Sequence, residues 1–365
     1  MVLPNGDTLP WSIDRHPTNP VHSHGTILLG IVAALPGNDI GVRGVLDLSS
    51  ENPEGGGGDN NGDGNIDGGR RFRFIHTRAL KDDRTASQSQ MIDAVNQCVE
   101  YGNADVIIVA MGCVNCPSDA VRDFFQRAYD DAGVLVVGAA GNQGYEGEGD
   151  DGQRYMYPAS YPGVISVAAV DEEGRRTDGS NANDAVELAA HGDDVLSTFV
   201  SPQGELGYAR MKGTSAATAY VGAAAALLWS YHPTCTNVQI RNALIKTALH
   251  DTPHNGDGSP PPPPCDNNIG YGVPQILDTV LLLRERGCDG GGIVLSDTGR
   301  ACDRAPPPSS SSAPREAAEG VAGQPPSSSF FVVVGSTGGG GGGRRGTTAV
   351  ATTTGEAAAA SAASA

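Results

Sequence analysis

Asp105-Val106-Ile107-Ile108-Val109-Ala110-Met111 decides the fold. After its first residue the run is apolar at every position, the pattern of a strand covered on both faces. Two more runs of this kind follow, Val134-Leu135-Val136-Val137-Gly138-Ala139-Ala140 and Val164-Ile165-Ser166-Val167-Ala168-Ala169-Val170. Between the first two, Asp119 to Ala132 puts Val121, Phe124, Phe125, Ala128 and Tyr129 on one helical face. Upstream, Ser89 to Tyr101 does the same with Met91, Ile92, Val95, Cys98 and Val99. His24 to Leu35 reads as a helix, and Phe72 to Ala79 as a short strand. Buried strands alternating with amphipathic helices predict an α/β fold: a three-layer, doubly wound, mostly parallel sheet with helices on both faces. In such folds chemistry gathers at the carboxyl ends of the strands.

Three residues at element ends draw notice. Val134 to Val137 runs into Gly138-Ala139-Ala140-Gly141-Asn142, where small residues permit close backbone approach and an asparagine offers two N–H donors. His24 opens the helix that begins His24-Gly25-Thr26. Ser215 follows Gly213-Thr214 and precedes Ala216 to Trp229, a run apolar all round and too short to span a bilayer. That run reads as a buried helix with Ser215 at its N-terminus, where free N–H groups and the helix dipole favour an oxyanion. Taken singly, each has a plainer explanation: a turn asparagine, a solvated histidine, a serine N-cap. Taken together, a serine, a histidine and an asparagine on separate element ends are the parts of acyl transfer.

Composition bounds the partners. The 365 residues carry a formal net charge of -18, which argues against nucleic acid or an anionic membrane. No stretch resembles a membrane span, and Met1 to Asp7 lacks the basic and apolar regions of a signal peptide. Residues 289–365 are rich in Pro, Ser, Gly and Ala and are expected to be a disordered tail. Residues 1–21 are expected to be irregular, leaving 22–288 as one domain with an insertion at 51–70.

The motifs resemble those of the subtilisin-like serine peptidases (family S8). His24-Gly25-Thr26, with Gly30 and Ala33-Ala34, is similar to the family's histidine block. Ala139-Ala140-Gly141-Asn142 resembles its asparagine block. Gly213-Thr214-Ser215, continued by Val221 to Leu228, resembles its serine block. Tyr157 to Pro162, Val164 to Val170, Leu196-Ser197-Thr198, Gln239 to Leu244 and Gly270-Tyr271-Gly272 fill the intervals in the family's order. The resemblance implies that Ser215 is the nucleophile and His24 the general base. Asn142 and the Ser215 N–H would hold the oxyanion. Ala110, Met111 and Gly112 would pair with an extended polypeptide substrate, with Ala139, Ala140 and Gly141 as the other wall of the pocket for a large apolar side chain. It also implies a monomer, secreted or in the endomembrane system, needing no cofactor for its chemistry.

The departures are specific. The family's catalytic aspartate ends an apolar strand well before the histidine, and no such strand precedes His24. Asp7 and Asp14 both read as loop residues, so the chain reads as truncated at its N-terminus or as having lost that strand. Ile27, Ala216, Ala219, Tyr220 and His191 stand where the family pattern has other residues. Beside a serine endopeptidase, two other readings therefore fit: an inactive relative that binds peptides in the same groove, and a hydrolase of small esters or short peptides.

Two features lie outside this pattern. Asp59, Asn61, Asp63, Asn65 and Asp67, with Gly64 at the sixth place, are spaced like the first part of a calcium loop, although Arg70 occupies the twelfth position. They read either as a structural Ca2+ site or as a solvated acidic loop. Seven cysteines include Cys113-Val114-Asn115-Cys116, which without a second pair reads as a local disulfide or two thiols rather than half a zinc site. Cys235 and Cys265 are the expected partners across the closing helix.

Overall fold

The computed structural model describes residues 24–46, 72, 74–75, 77, 87–101, 104–144, 154–201, 205–250, 265–292 and 301–303. In chain order these form α1 (His24–Ala33), α2 (Gln88–Asn96), β1 (Val106–Val109), β2 (Cys113–Val114), α3 (Asp119–Asp130) and β3 (Leu135–Ala139). Then come β4 (Met156–Tyr157), β5 (Val164–Val170), β6 (Val186–His191), β7 (Val195–Val200) and β8 (Leu206–Met211). The last set is α4 (Thr214–Tyr231), α5 (Asn237–Lys246), β9 (Ala248–Leu249), β10 (Val273–Pro274) and α6 (Ile276–Arg286).

The central sheet has the order β1-β3-β5-β6, and each neighbouring pair is parallel. Alternate residues of β1 serve different layers, as the two-residue period of a strand requires. Val106 and Ile108 pack with Ile27, Leu28 and Ile31 of α1 and the alanines of α4. Ile107 and Val109 pack with Met91 and Val95 of α2 and Val121 and Phe125 of α3. This is the three-layer α/β arrangement expected from the apolar runs.

Two helices start at side-chain caps. Ser87 and Thr236 cap α2 and α5 through capping boxes closed by Gln90 and Gln239. After α2 the chain widens into a π-type turn at Gln97–Tyr101 before entering β1. The helix α4 has no side-chain cap: Gly213 takes the N-cap position with φ 130, and its N–H donates to the Gly192 carbonyl at 2.7 Å.

Four expectations need correction. Phe72, Phe74, Ile75 and Thr77 form no strand with any described residue. Their side chains alternate as a strand's would, Phe72 and Phe74 against the α1–α4 core and Ile75 against the α2–α3 core. Residues 73, 76, 78 and 79 of that stretch lie outside the described residues. The folded part also does not stop at 288. Gly287–Gly291 forms a 3-10 turn, and Ala301 is buried with its N–H on the Asp184 carbonyl at 2.9 Å. Cys235 pairs with Cys288 and Cys265 with Cys302, so the expected Cys235–Cys265 bridge is absent. The helix α6 brings Cys288 back to the start of α5, which composition cannot reveal. Finally, Ser215 is not an N-cap, since Gly213 holds that position. The Asp59–Asp67 loop, residues 1–21, Pro260 to Pro264 and nearly all of the 289–365 tail lie outside the described residues.

Candidate active site

The site forms where β1, β3 and α4 meet. Parallel pairing in the register Val109↔Gly138 makes the two strands leave the sheet side by side. Ala110-Met111-Gly112 therefore continues from β1 beside Ala139-Ala140-Gly141 from β3. None of the backbone hydrogen bonds outside helices and strands among the described residues involves Ala110, Met111 or Gly112. Among the described residues, their backbone forms an unpaired edge beside β3.

Ser215 is the second residue of α4 and is only 6% exposed. The first-turn N–H groups of a helix have no intrahelical partners. Here the Thr214 N–H donates to Asn142 Oδ1 at 2.8 Å and the Ala216 N–H to the Gly213 carbonyl at 3.1 Å. The Ser215 N–H has no hydrogen-bond partner among the described residues.

Asn142 is oriented by the same turn. Its Oδ1 accepts from the Thr214 N–H and also from Thr214 Oγ1 at 3.0 Å. A backbone N–H can only donate, so the oxygen of the amide must face Thr214 and the Nδ2 donors must face away. Thr214 Oγ1 in turn accepts from the Gly141 N–H at 3.2 Å. Gly213 must be glycine: a Cβ there would lie 2.8 Å from Asn142 Oδ1, at a positive φ that side chains avoid. Asn142 is exposed at the surface while its amide oxygen is held.

A second asparagine, missed in the sequence, braces this loop. The buried Asn181 donates from Nδ2 to the Ala140 carbonyl at 2.9 Å. Its Oδ1 accepts from the N–H groups of Gln143 at 2.9 Å and Gly144 at 3.1 Å, and its own N–H donates to the Gly141 carbonyl at 2.9 Å. Asn181 follows Asp178-Gly179-Ser180 and looks like an ordinary turn residue, so the sequence offers no signal for this role.

His24 is half-buried at the head of α1. The first turn of α1 is fastened to β7 by Ser197 Oγ on the Ile27 carbonyl at 2.6 Å and Thr198 Oγ1 on the Thr26 carbonyl at 2.8 Å. Ile27, Leu28 and Ile31 then pack in one core with Ala216, Ala217 and Ala219 of α4. The helices carrying His24 and Ser215 thus lie in the same layer.

Arg210 pairs with Asp194 at 2.7 Å and Lys212 with Asp193 at 3.0 Å, so both cations before Gly213 are offset by acids after β6. On α4, burial raises the Tyr220 phenol, which keeps it neutral. The described residues contain no cluster of three or more metal-ligating side chains and no helix long and apolar enough to cross a membrane.

Fold and site together define an α/β protein whose small-residue helix presents a serine beside an anchored asparagine, at the carboxyl ends of parallel strands. The family model for the subtilase family matches residues 10–272, and the chain belongs to that family. The match begins before His24 and takes in Asp14. The chain is 35% identical over 230 residues to the thermostable alkaline protease of Halalkalibacterium halodurans, covering 63% of this chain and 53% of that protein. It is 33% identical over 236 residues to subtilisin E of Bacillus subtilis strain 168, covering 64% and 53%. It therefore spans about half the length of these relatives. Among solved structures, the subtilisin-like protease Apa1 of Pseudoalteromonas sp. AS-11 matches with a TM-score of 0.57 at 21% identity, covering 75% of this chain and 86% of that one. The self-cleaved protease domain of PatA matches at 0.53 and 23%, covering 72% and 84%. At such identities the structural likeness establishes the fold.

Proposed function

We propose that the protein is a serine endopeptidase that cleaves polypeptides through an acyl-enzyme on Ser215. His24 takes the Ser215 proton as the hydroxyl attacks the scissile carbonyl and returns it to the leaving amine. The developing oxyanion is held by Asn142 Nδ2 and the Ser215 N–H. The observation that carries this reading is the fixing of Asn142 by Thr214, which turns its donors away from the helix and leaves the adjacent Ser215 N–H free. A side-chain donor aimed at such an oxyanion is worth about 3–4 kcal/mol of barrier. The unpaired edge of Ala110 to Gly112 suits an extended peptide added as a strand, facing Ala139 to Gly141. Three disulfides suit an oxidising compartment.

Fluorophosphonate labelling tests this reading. The folded chain should label at Ser215, the Ser215→Ala variant should not, and the labelled protein's parent should digest casein. A folded chain that takes no label would overturn the enzyme assignment and leave a peptide-binding groove. Labelling without casein digestion would point to a hydrolase of small esters or short peptides.

A further inference from the structure

The Cys113–Cys116 disulfide lies immediately beyond the Ala110–Gly112 edge, and the proposed acyl transfer assigns it no role. It is unlike the other two bridges of the described residues. They join positions 53 and 37 residues apart, whereas this one joins positions 3 apart, with Cα atoms 5.8 Å from each other. Closing so short a loop constrains the unfolded chain far less than closing the longer ones. Its effect is therefore local. Cys113 is also exposed, while the remaining bridged cysteines are buried or half-buried.

What the bridge holds is clear from its surroundings. Cys113 and Val114 form β2, which pairs antiparallel with Tyr157 and Met156 of β4. Asn115, at φ 50, donates its N–H to the Tyr155 carbonyl at 2.8 Å and accepts the Tyr155 N–H on Oδ1 at 3.0 Å. Gly112 lies so close to β4 that a Cβ would come within 2.7 Å of Met156 Sδ. Beyond the bridge, the Ser118 N–H donates to Tyr161 Oη at 2.7 Å at the entry to α3. The edge is thus fixed by the sheet at Val109 and by this knot at Cys113, with Met111 and Gly112 suspended between.

We propose that the Cys113–Cys116 disulfide is a positioning clamp, which holds the Ala110–Gly112 edge in the shape an added peptide strand needs, and which thiol reductants can open. This rests on the endopeptidase reading for the identity of the added strand. Opening follows ordinary exchange. A reductant thiolate attacks the exposed Cys113 Sγ, and Cys116 leaves as a thiolate and takes up a proton. A second reductant thiolate attacks the reductant's sulfur in the mixed disulfide, and Cys113 leaves as a thiolate and takes up a proton. The products are two cysteine thiols and one reductant disulfide, a balanced two-electron step.

The test compares two substrates on the full chain, before and after mild dithiothreitol and in the Cys113→Ser/Cys116→Ser variant. Mass spectrometry verifies that the other two bridges stay closed. A nitrophenyl ester of a single acyl group needs no strand pairing, and its turnover should be unchanged. An extended octapeptide amide should show a KM raised about tenfold with kcat little altered, and reoxidation should restore it. Equal losses on both substrates, or no loss on either, would overturn the clamp. Amide hydrogen exchange at Met111 and Gly112 gives a readout independent of catalysis and should quicken several-fold in the variant. Unchanged exchange refutes the clamp even in a chain that never labels at Ser215, whereas absent labelling with quickened exchange refutes only the endopeptidase reading.

Discussion

Arg241 on α5 is fully buried, and Arg241→Met is the most informative single change outside the cleft. Its Nε donates to Glu187 Oε1 at 2.6 Å, and a second guanidinium N–H donates to Glu187 Oε2. Other donors reach the Pro162 carbonyl at 2.9 Å and the Val164 carbonyl at 3.4 Å, and the guanidinium stands 5.2 Å from the Tyr129 ring centre. Burial works to lower the Arg241 pKa, but the charge and hydrogen bonds of Glu187 outweigh it and hold it above its ordinary value. Side-chain exposures of 0% and 1% leave no water to take over for either partner. Methionine would fill most of the volume and strip the buried Glu187 carboxylate of both guanidinium hydrogen bonds. Breaking a pair of this kind costs about 3–5 kcal/mol. That is a large share of a typical total of about 5–15 kcal/mol. At about 2–4 °C per kcal/mol for a domain of this size, the melting temperature should fall by roughly 6–20 °C.

The assay is a thermal melt in a Ser215→Ala background, which removes autolysis. The pH dependence is diagnostic. In the variant, a buried Glu187 without its guanidinium binds a proton more readily folded than unfolded, so the variant's stability must rise as pH falls towards the ordinary carboxylate range. The gap to the parent should therefore shrink between pH 8 and pH 5. Adding Glu187→Leu should recover much of the loss, though not all, since the Pro162 and Val164 carbonyls lose the Arg241 donors. A pH-independent gap, or a double variant no more stable than the single one, would refute the assignment of the loss to an orphaned charge.

Thr214→Val removes the hydroxyl that accepts from Gly141 and donates to Asn142, leaving Asn142 on one backbone N–H; on the proposed mechanism kcat should drop about tenfold with KM steady, the loss of one hydrogen bond of about 1.4 kcal/mol. Equal kcat values in a steady-state comparison would remove Thr214 Oγ1 from the oxyanion machinery. Replacing Cys235 and Cys288 together by alanine opens a loop of separation 53 and should cost up to about 4 kcal/mol in a denaturant titration; an unchanged midpoint would count against a stabilising bridge. Cys98 is the free cysteine among the described residues, and burial pushes its thiol up to about 12 from 9.0. It should resist iodoacetamide until the chain unfolds. Its contribution to stability should be whole below pH 9 and decline as pH climbs from 9 towards 12, a decline that Cys98→Ala should flatten.

What the sequence discloses follows from the range over which each signal acts. The runs at 106–109, 135–139 and 164–170 are legible because burial on both faces keeps them almost wholly apolar, with the buried Ser166 as the one polar interruption. The strand β6 is harder to read: Glu187 sits in its middle, and the arginine that justifies it lies 54 positions away. β8 escapes notice because its residues are alternately exposed and half-buried, with no apolar face to detect. Pairing among Cys235, Cys265, Cys288 and Cys302 is set by the return path of α6, and four cysteines allow three connectivities. In the site, Asn142 and Ser215 are legible since each follows small residues at an element end. Asn181 works entirely through space, on a loop 37 to 41 residues back in the chain.

The helix α4 explains why the site divides into two mechanical parts. Its small residues let it lie against β1, β3, β5 and β6 and also α1, α5 and α6. At Gly222 the approach to Ile108 is so close that a Cβ would collide with its side chain. A helix seated this tightly has little freedom to slide. Its first residue also grips Asn142, and Thr218 Oγ1 ties off the Thr214 carbonyl at 2.7 Å. Ser215 and Asn142 are therefore set by one body. His24 stands on another, since α1 is pinned to β7 and packs on α4 through side chains such as Ile27, Leu28 and Ile31. A change in that α1–α4 packing should disturb the relation of His24 to Ser215 while sparing that of Asn142 to Ser215. On the proposed mechanism, such a change impairs proton transfer before it impairs oxyanion stabilisation.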